Sequence, residues 1–475
     1  MGVKKSLESA AIAKAIDYLI ENPEERIPKI MNLVNKAVPE DLYPSQRKAI
    51  TNAINMHNNW YELILRVTEL NPDVMRRMIK TFVLDANFDC WPTQEENRKK
   101  YQCNIPWAML LDPTSACNLH CTGCWAADFG NQLSLSYEDI DSIIEQSKAL
   151  GTHMFIYTGG EPLVRKKDII KLCEKHQDCA FLSFTNATLI DEEFCQDLER
   201  VANFIPAISV EGFEEATDSR RGEGTFKKVV AAMDLMKKHG LPFGVSCCYT
   251  SANYKDIGSE EFIDWLIDKG ALFAWFFTYM PIGKSAPTDL MASPEAREHM
   301  YHFIRAMRDT KPLFTMDFWN DGEYVGGCIA GGRRYLHISA AGDVEPCVFA
   351  HYANANIHKD SVLDALRSPI FMEYYENQPF DKNLLRPCPI LDNKGRLAEM
   401  VERSGAKSTN PQDGEPAEEL CEKCYTAADE WKPVADRLWD DPNDSRYDLR
   451  HKEIGGMADS DMDKFERIGR KRWSA

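Results

Sequence analysis

The stretch 107–126, WAMLLDPTSACNLHCTGCWA, decides the architecture. It opens with an apolar run, Ala108–Pro113, that ends in an Asp-Pro turn and reads as a buried strand. Cys117, Cys121 and Cys124 follow at once in the spacing CxxxCxxC. Three thiolates spaced this way on a loop reach three corners of an iron–sulfur cubane and leave one iron open for a small molecule. Zinc is the competing occupant, with His120 as its fourth ligand. Ordinary core thiols are a poor reading for three cysteines within eight residues.

Outward from this stretch the same unit recurs. Apolar runs at His153–Thr158, Ala180–Asn186, Ile205–Val210, Phe243–Thr250 and Leu272–Tyr279 read as further strands. Amphipathic helices separate them: Tyr137–Leu150, with Ile140, Ile143 and Ile144 inward, and Phe226–His239, with Val229, Met233 and Met236 on one face. A sixth helix is expected over Pro294–Thr310. Strands alternating with helices imply parallel βαβ units with right-handed crossovers. Six units are too few for an eight-stranded barrel, so the expected fold is α/β, a partial (β/α)6 TIM-like barrel with its site at the C-terminal strand ends.

Residues 1–105 carry helical periodicity, as in Ile12, Ile16, Leu19 and Ile20, and in the stretches Pro28–Val38, Ser45–Asn55 and Asn59–Leu70. Pro28 reads as a first helical residue. The chain therefore divides into a helical N-terminal domain at 1–105, the barrel at 106–311, a small C-terminal α+β domain at 312–440 and a tail at 441–475. Residues 312–386 read as short strands and turns, and 392–419, rich in Gly, Pro, Ser and Glu, as a mobile loop. The tail contains KFERIGRKRW, a basic island read as a solvated end.

Composition excludes several classes. The 475 residues are 44% hydrophobic and 27% charged, which rules out global disorder and collagen-like repeats. A net charge of −18 repels phosphate backbones, so nucleic acid is not an expected partner. No run reaches the roughly 18 apolar residues that span a bilayer. Glu8, Lys14 and Asp17 interrupt any signal-peptide core, so the expected compartment is the cytoplasm. Of the 15 cysteines, Cys90, Cys103, Cys173, Cys179, Cys195, Cys247 and Cys248 read as ordinary core thiols.

The second group of cysteines is C-x13-G-x4-C, formed by Cys328, Gly342 and Cys347, followed far along the chain by Cys421-x-x-Cys424. Gly342-Asp343 is a hairpin signal that draws the first two cysteines together. Cys388 stands between, as a spare or a substitute ligand. A four-cysteine zinc site uses the same residues equally well.

At Cys117, Cys121 and Cys124 the chain resembles the radical S-adenosylmethionine (radical SAM, AdoMet) superfamily, and the resemblance runs over about 107–280. The second strand ends in TGGEP, similar to the family's GGEP element, which makes Gly159, Gly160, Glu161 and Pro162 cofactor-binding candidates with Glu161 toward the AdoMet ammonium. FTNAT marks Asn186 as a ribose or adenine contact. SVEG marks Ser209 and Glu211, and RRG places Arg221, with Arg220 beside it, where relatives hold the AdoMet carboxylate. Two departures stand out: relatives carry an aromatic residue just before the third cysteine, where this chain has Gly123 followed by Trp125 after it, and Glu211 replaces an Asp. Adenine packing then either differs from that of relatives or falls to Trp125.

Cys328, Cys347, Cys421 and Cys424 resemble the SPASM/twitch extension, which implies one auxiliary [4Fe–4S] cluster. The resemblance implies reductive cleavage of AdoMet to a deoxyadenosyl radical, hydrogen abstraction from a substrate carbon, and a reductant such as flavodoxin or ferredoxin. The substrate it implies is a peptide, a protein or a small molecule; a lipid fits if the N-terminal helices expose an apolar groove. Asp317, Asp321, Glu323 and Tyr279 are the acid–base candidates by position. The other functional classes are an iron–sulfur electron carrier and a zinc-bound interaction protein.

Overall fold

The computed structural model describes residues 18–19, 21–37, 44–410 and 414–451. Six parallel strands run in chain order: β1 (Ala108–Leu111), β2 (Met154–Tyr157), β3 (Ala180–Thr185), β4 (Phe204–Ser209), β5 (Gly244–Tyr249) and β6 (Phe273–Thr278). Every side chain of β1, β2 and β4 is buried, as expected for strands covered by helices on one side and packed core on the other. The crossover helices are defined locally. Tyr137–Leu150 starts in a capping box between Ser136 and Asp139 and stops at Gly151, whose φ of 94° is left-handed. Asp191, Ser259 and Ser293 cap the helices Glu192–Val201, Glu260–Lys269 and Pro294–Thr310.

The sheet extends further than the alternating pattern implied. β7 (Phe314–Asp317) adds a seventh parallel strand beside β6. At the opposite edge β8 (Tyr335–Ile338) pairs parallel with β1, and β9 (Asp343–Glu345) and β11 (Ala355–Asn356) continue antiparallel. The result is one open ten-stranded sheet ordered β11-β9-β8-β1-β2-β3-β4-β5-β6-β7. Strands from both sides of the expected boundary at 311/312 thus share one sheet, while β10 (Tyr352–Ala353) pairs separately with β12 (Lys407–Ser408). Four-residue β7 escaped the pattern because Phe314 is exposed while the inward-facing Thr315 and Asp317 are polar, so no apolar run marks it.

Three other expectations are corrected. The segment read as a mobile loop contains the helix Arg396–Ser404, which buries Leu397, Ala398 and Met400, a stripe that its flanking Gly and Glu residues masked. The stretch 312–386 also holds the helix Pro369–Asn377, started by its proline. In the N-terminal region Pro28 lies inside the helix Pro23–Ala37; Pro23 takes the first position instead. Ile12, Ile16, Ile20 and the basic island of the tail lie outside the described residues.

The N-terminal helices collar the end of the sheet opposite the cysteine loop. Asn59 donates to the carbonyls of Arg308 (2.8 Å) and Lys311 (2.9 Å), and Arg66 to those of Ile267 (3.0 Å) and Ala271 (2.8 Å), all just before β6 and β7 begin. Leu33, Ile50 and Met56 are exposed on this collar. Among the described residues no helix is long and apolar enough to cross a membrane.

Candidate active site and auxiliary cysteine site

The loop after β1 carries Cys117, Cys121 and Cys124 into a cleft at the C-terminal strand ends. The turn after β2 holds that loop in place. A Cβ on Gly160 would sit 2.3 Å from the Ala116 carbonyl oxygen, and one on Gly159 2.8 Å from the Thr114 carbonyl oxygen. The Gly160 and Glu161 N–H groups donate to Thr114 (3.0 Å) and Ala116 (2.9 Å). The glycines therefore admit the cysteine loop's own backbone, and only glycine fits there.

Glu161 is turned inward. Its carboxylate accepts from the Leu163 N–H (3.0 Å), the Thr185 hydroxyl (2.7 Å) and the Asn186 N–H (2.7 Å). Burial raises its pKa against the pull of those donors. It ties β2 to the end of β3 while sharing the cleft wall with both glycines. Pro162 begins a short turn and is buried behind it. Asn186 lines the cleft and donates to Asn118 Oδ1 (2.8 Å), in the residue next to Cys117.

Glu211 is fully buried behind two arginines. Its Oε1 accepts from Arg220 Nη1 (2.6 Å) and Arg221 Nε (2.8 Å), and its Oε2 from the Cys248 N–H (3.0 Å). Burial alone would raise its pKa; the two guanidinium groups outweigh that and lower it. Arg220 and Thr122 are joined by the Thr122 N–H donating to the Arg220 carbonyl (2.8 Å), so the arginine pair also fixes the segment between Cys121 and Cys124. Two cations against the single Glu211 carboxylate leave this corner of the cleft with a spare positive charge, which suits a bound carboxylate and thiolates.

Sequence reasoning missed Ser246 and Cys248, which line the cleft beside Ser209. Burial pushes the Cys248 thiol up to about 11, with Arg220 pulling the other way. The signal was available: both residues belong to β5 near its C-terminal end, where site residues of such sheets gather. Also missed were Phe184, Phe277, Val348 and Phe349, which form an apolar wall; Trp125 lines the cleft as well, edge-on to His337 at 5.8 Å between ring centroids.

Of the four acid–base candidates only Tyr279 reaches the cleft, with its buried hydroxyl lacking a hydrogen-bonding partner. Asp317 accepts from the N–H groups of Trp319 and Asn320, and burial lifts its pKa to about 6. Asp321 pairs with Arg308. Glu323 lies among Arg305, Arg446 and Arg450, which overcome burial and hold its pKa near about 2. These three brace the turn after β7, and their sequence neighbourhood to Cys328 did not carry them to the cleft.

The auxiliary cysteines divide differently from their sequence grouping. Cys328, Cys347 and Cys388 line one cavity walled by Phe318, Trp319, Phe349 and Tyr374. Cys388, a spare or a substitute ligand on spacing alone, lines this cavity with the other two. Cys421 and Cys424 are buried on the helix Ala417–Trp439, where the N–H groups of Gly395, Leu397 and Ala398 surround Cys421.

Neither cysteine group is drawn together as tightly as a single zinc ion requires. Zinc holds thiolates about 2.3 Å away and therefore about 3.8 Å from one another. Among the described residues the three ligand atoms that converge within 4.8 Å are those of His153, Asp178 and Cys179, at the far end of β2 and β3. His120 is exposed. The orphaned hydroxyl of Tyr374 in the auxiliary cavity gives an independent sign of a polar occupant.

The profile of the Radical SAM superfamily matches residues 111–266, from the end of β1 into the helix after β5. The AdoMet-dependent heme synthase of Methanosarcina barkeri is 22% identical over 348 residues, covering 66% of this chain and 96% of that protein. The cysteine-type anaerobic sulfatase-maturating enzyme of Clostridium perfringens is 30% identical over 167 residues, 31% of this chain and 45% of the enzyme. Among solved structures, Streptococcus suis SuiB bound to precursor peptide SuiA superposes with a TM-score of 0.49 at 18% identity, covering 58% of this chain and 68% of that one.

Proposed function

The chain belongs to the radical SAM superfamily, and on that premise we propose that it oxidatively modifies a peptide, a protein or a small molecule by abstracting hydrogen from a substrate carbon. Its cofactors are AdoMet, the [4Fe–4S] cluster that binds it and an auxiliary cluster. Bound together and reduced by one electron, AdoMet and its cluster supply a carbon radical able to abstract hydrogen from unactivated positions.

The observation that carries this reading is the cleft in which Cys117, Cys121 and Cys124 face Gly159, Gly160, Arg220, Arg221 and Asn186. In our assignment the three cysteines hold the AdoMet-binding cluster. Arg221, fixed by Glu211, binds the AdoMet carboxylate, and the glycine turn lies against its amino group. Glu161 acts one step back, by orienting that turn and Asn186. Ser209, Ser246 and Asn186 offer polar contacts to the ribose, and Trp125 and the phenylalanine wall exclude water. Cys328, Cys347 and Cys388 hold the auxiliary cluster, with its fourth ligand from Cys421 or Cys424.

We assign roles to the segments as the sequence divides them: a collar at 1–105, the AdoMet barrel at 106–311, the auxiliary domain at 312–440 and a tail. The relatives' names, heme synthase and sulfatase-maturating enzyme, support a small molecule or a protein as substrate. We place the reaction in the cytoplasm, with flavodoxin or ferredoxin as electron donor.

The test is anaerobic reconstitution, reduction and addition of AdoMet, with deoxyadenosine read by mass spectrometry. Product that vanishes in a Cys117→Ala, Cys121→Ala, Cys124→Ala variant supports the reading. An intact, reducible cluster that neither binds AdoMet nor yields product overturns it in favour of an electron carrier.

A further inference from the structure

Resting on the auxiliary-cluster reading, we propose that the hydroxyls of Tyr335 and Tyr374 donate hydrogen bonds to the sulfur atoms of that cluster and hold its reduction potential up. Tyr335 opens β8 and is buried; its Oη lies 2.9 Å from Cys347 Sγ. Between a thiol and a phenol either group can donate. A thiolate bound to iron has no proton, so the phenol becomes the donor.

Tyr374 enters the same cavity from the helix Pro369–Asn377. Its ring is pressed against Gly331, where a Cβ would sit 2.3 Å from Tyr374 Cβ, and meets Phe380 edge-on at 5.4 Å between centroids. The ring is therefore held, and its fully buried hydroxyl has no hydrogen-bonding partner. Cys328, Cys347 and Cys388 line the same cavity. An orphaned buried hydroxyl is costly and rare, and a cluster's thiolate or sulfide is the acceptor that this position offers.

Hydrogen bonds to cluster sulfur draw electron density from the metal and favour the reduced form. Backbone N–H groups already reach these cysteines: Phe349 to Cys347 (3.5 Å), and Ile390 and Leu391 to Cys388 (both 3.4 Å). The tyrosines add two donors in a wall otherwise built from Phe318, Trp319, Phe349 and Pro387, where low polarity strengthens each bond. Phe349 also lines the AdoMet cleft, so this cluster adjoins the reaction chamber. A raised potential favours its acting as electron acceptor.

The measurement is an EPR-monitored redox titration of the full chain with both clusters loaded. The AdoMet-binding cluster, identified by the change in its signal on adding AdoMet, serves as the internal reference. Tyr335→Phe and Tyr374→Phe are each expected to lower the auxiliary potential, the double variant to lower it further, and the reference to stay in place. Site-specific 3,5-difluorotyrosine at position 335 or 374, a stronger donor of nearly the same shape, is expected to raise it, which keeps the test open if a phenylalanine variant fails to load. An auxiliary potential unmoved by these replacements, at equal iron and sulfide content, overturns the proposal alone. Iron and sulfide for a single cluster in the unaltered chain overturn the auxiliary-cluster reading and the proposal with it.

Discussion

The ring of Tyr279 crosses Gly123 so closely that a Cβ on the glycine would lie 2.6 Å from Tyr279 Cε2 and 2.9 Å from its hydroxyl oxygen. The glycine also has a φ of 68°, in the left-handed region. Gly123→Ala is expected to cost about 1–2 kcal/mol in backbone strain and about 1–3 kcal/mol in overpacking. Melting temperature and iron content after reconstitution should both fall. Adding Tyr279→Ala should restore only part of each, because it removes the contact and leaves φ unchanged.

Glu211→Gln strips the carboxylate from beneath Arg220 and Arg221. Breaking a buried pair from one side costs about 3–5 kcal/mol. The folded pKa of Glu211 lies below its ordinary value, so its contribution is fully present above about pH 4.5 and is lost as pH falls through the folded value. Urea denaturation from pH 7 downward should show a gap between the unaltered chain and the variant that narrows in acid. A gap independent of pH would contradict the charge assignment.

Glu323 separates a structural carboxylate from a catalytic one. Arg450 donates to both of its oxygens, at 2.9 and 3.0 Å, and Arg446 adds a bond of 2.8 Å. Glu323→Gln should cost about 3–5 kcal/mol of stability yet leave deoxyadenosine formation per loaded cluster unchanged. With a folded pKa of about 2, its stabilisation is full above about pH 4.5 and disappears between there and about pH 2. A tenfold loss of product at full cluster loading would return Glu323 to the reaction.

His337 joins the barrel to the auxiliary hairpin. Its Nε2 lies 3.0 Å from Asp112 at the end of β1, and its Nδ1 2.6 Å from Glu345 on β9. Burial alone would lower its pKa; the two carboxylates overcome this and raise it to about 10. The stabilisation is fully present below about pH 6.5 and is lost as pH rises toward about 10. Melting temperatures measured across that range should fall for the unaltered chain more steeply than for His337→Gln. Parallel curves would show that the imidazolium is not what holds the junction.

All six alternating strands were legible, because strands buried on both faces read as apolar runs and the crossover helices bury single stripes such as Ile140, Ile143 and Ile144. β7 was not, since half-exposed Phe-Thr-Met-Asp carries no pattern. The helix Arg396–Ser404 was hidden by the polar residues around it. At the site, the cysteine loop is marked by its own spacing, whereas the glycine turn and the Arg220–Arg221 pair stand out only through their resemblance to the superfamily's motifs. Cys248 and Phe349 were not, because each is marked only by where its strand or hairpin ends.

The sequence by itself determined the local chemistry: three thiols on one loop and a second group of cysteines through their spacing, and a glycine turn and an arginine pair through their resemblance to the superfamily's motifs. Only the tertiary structure decided which of these meet. It grouped Cys388 with Cys328 and Cys347, turned Glu161 and Glu211 inward as braces, and left Tyr279 alone of four acid–base candidates facing the cleft. It also ran β8 beside β1, so residues more than 200 positions apart share one sheet and one wall. The reason is that spacing governs contacts within a loop or helix, whereas contacts between distant segments follow from how their apolar faces pack, which no local pattern encodes.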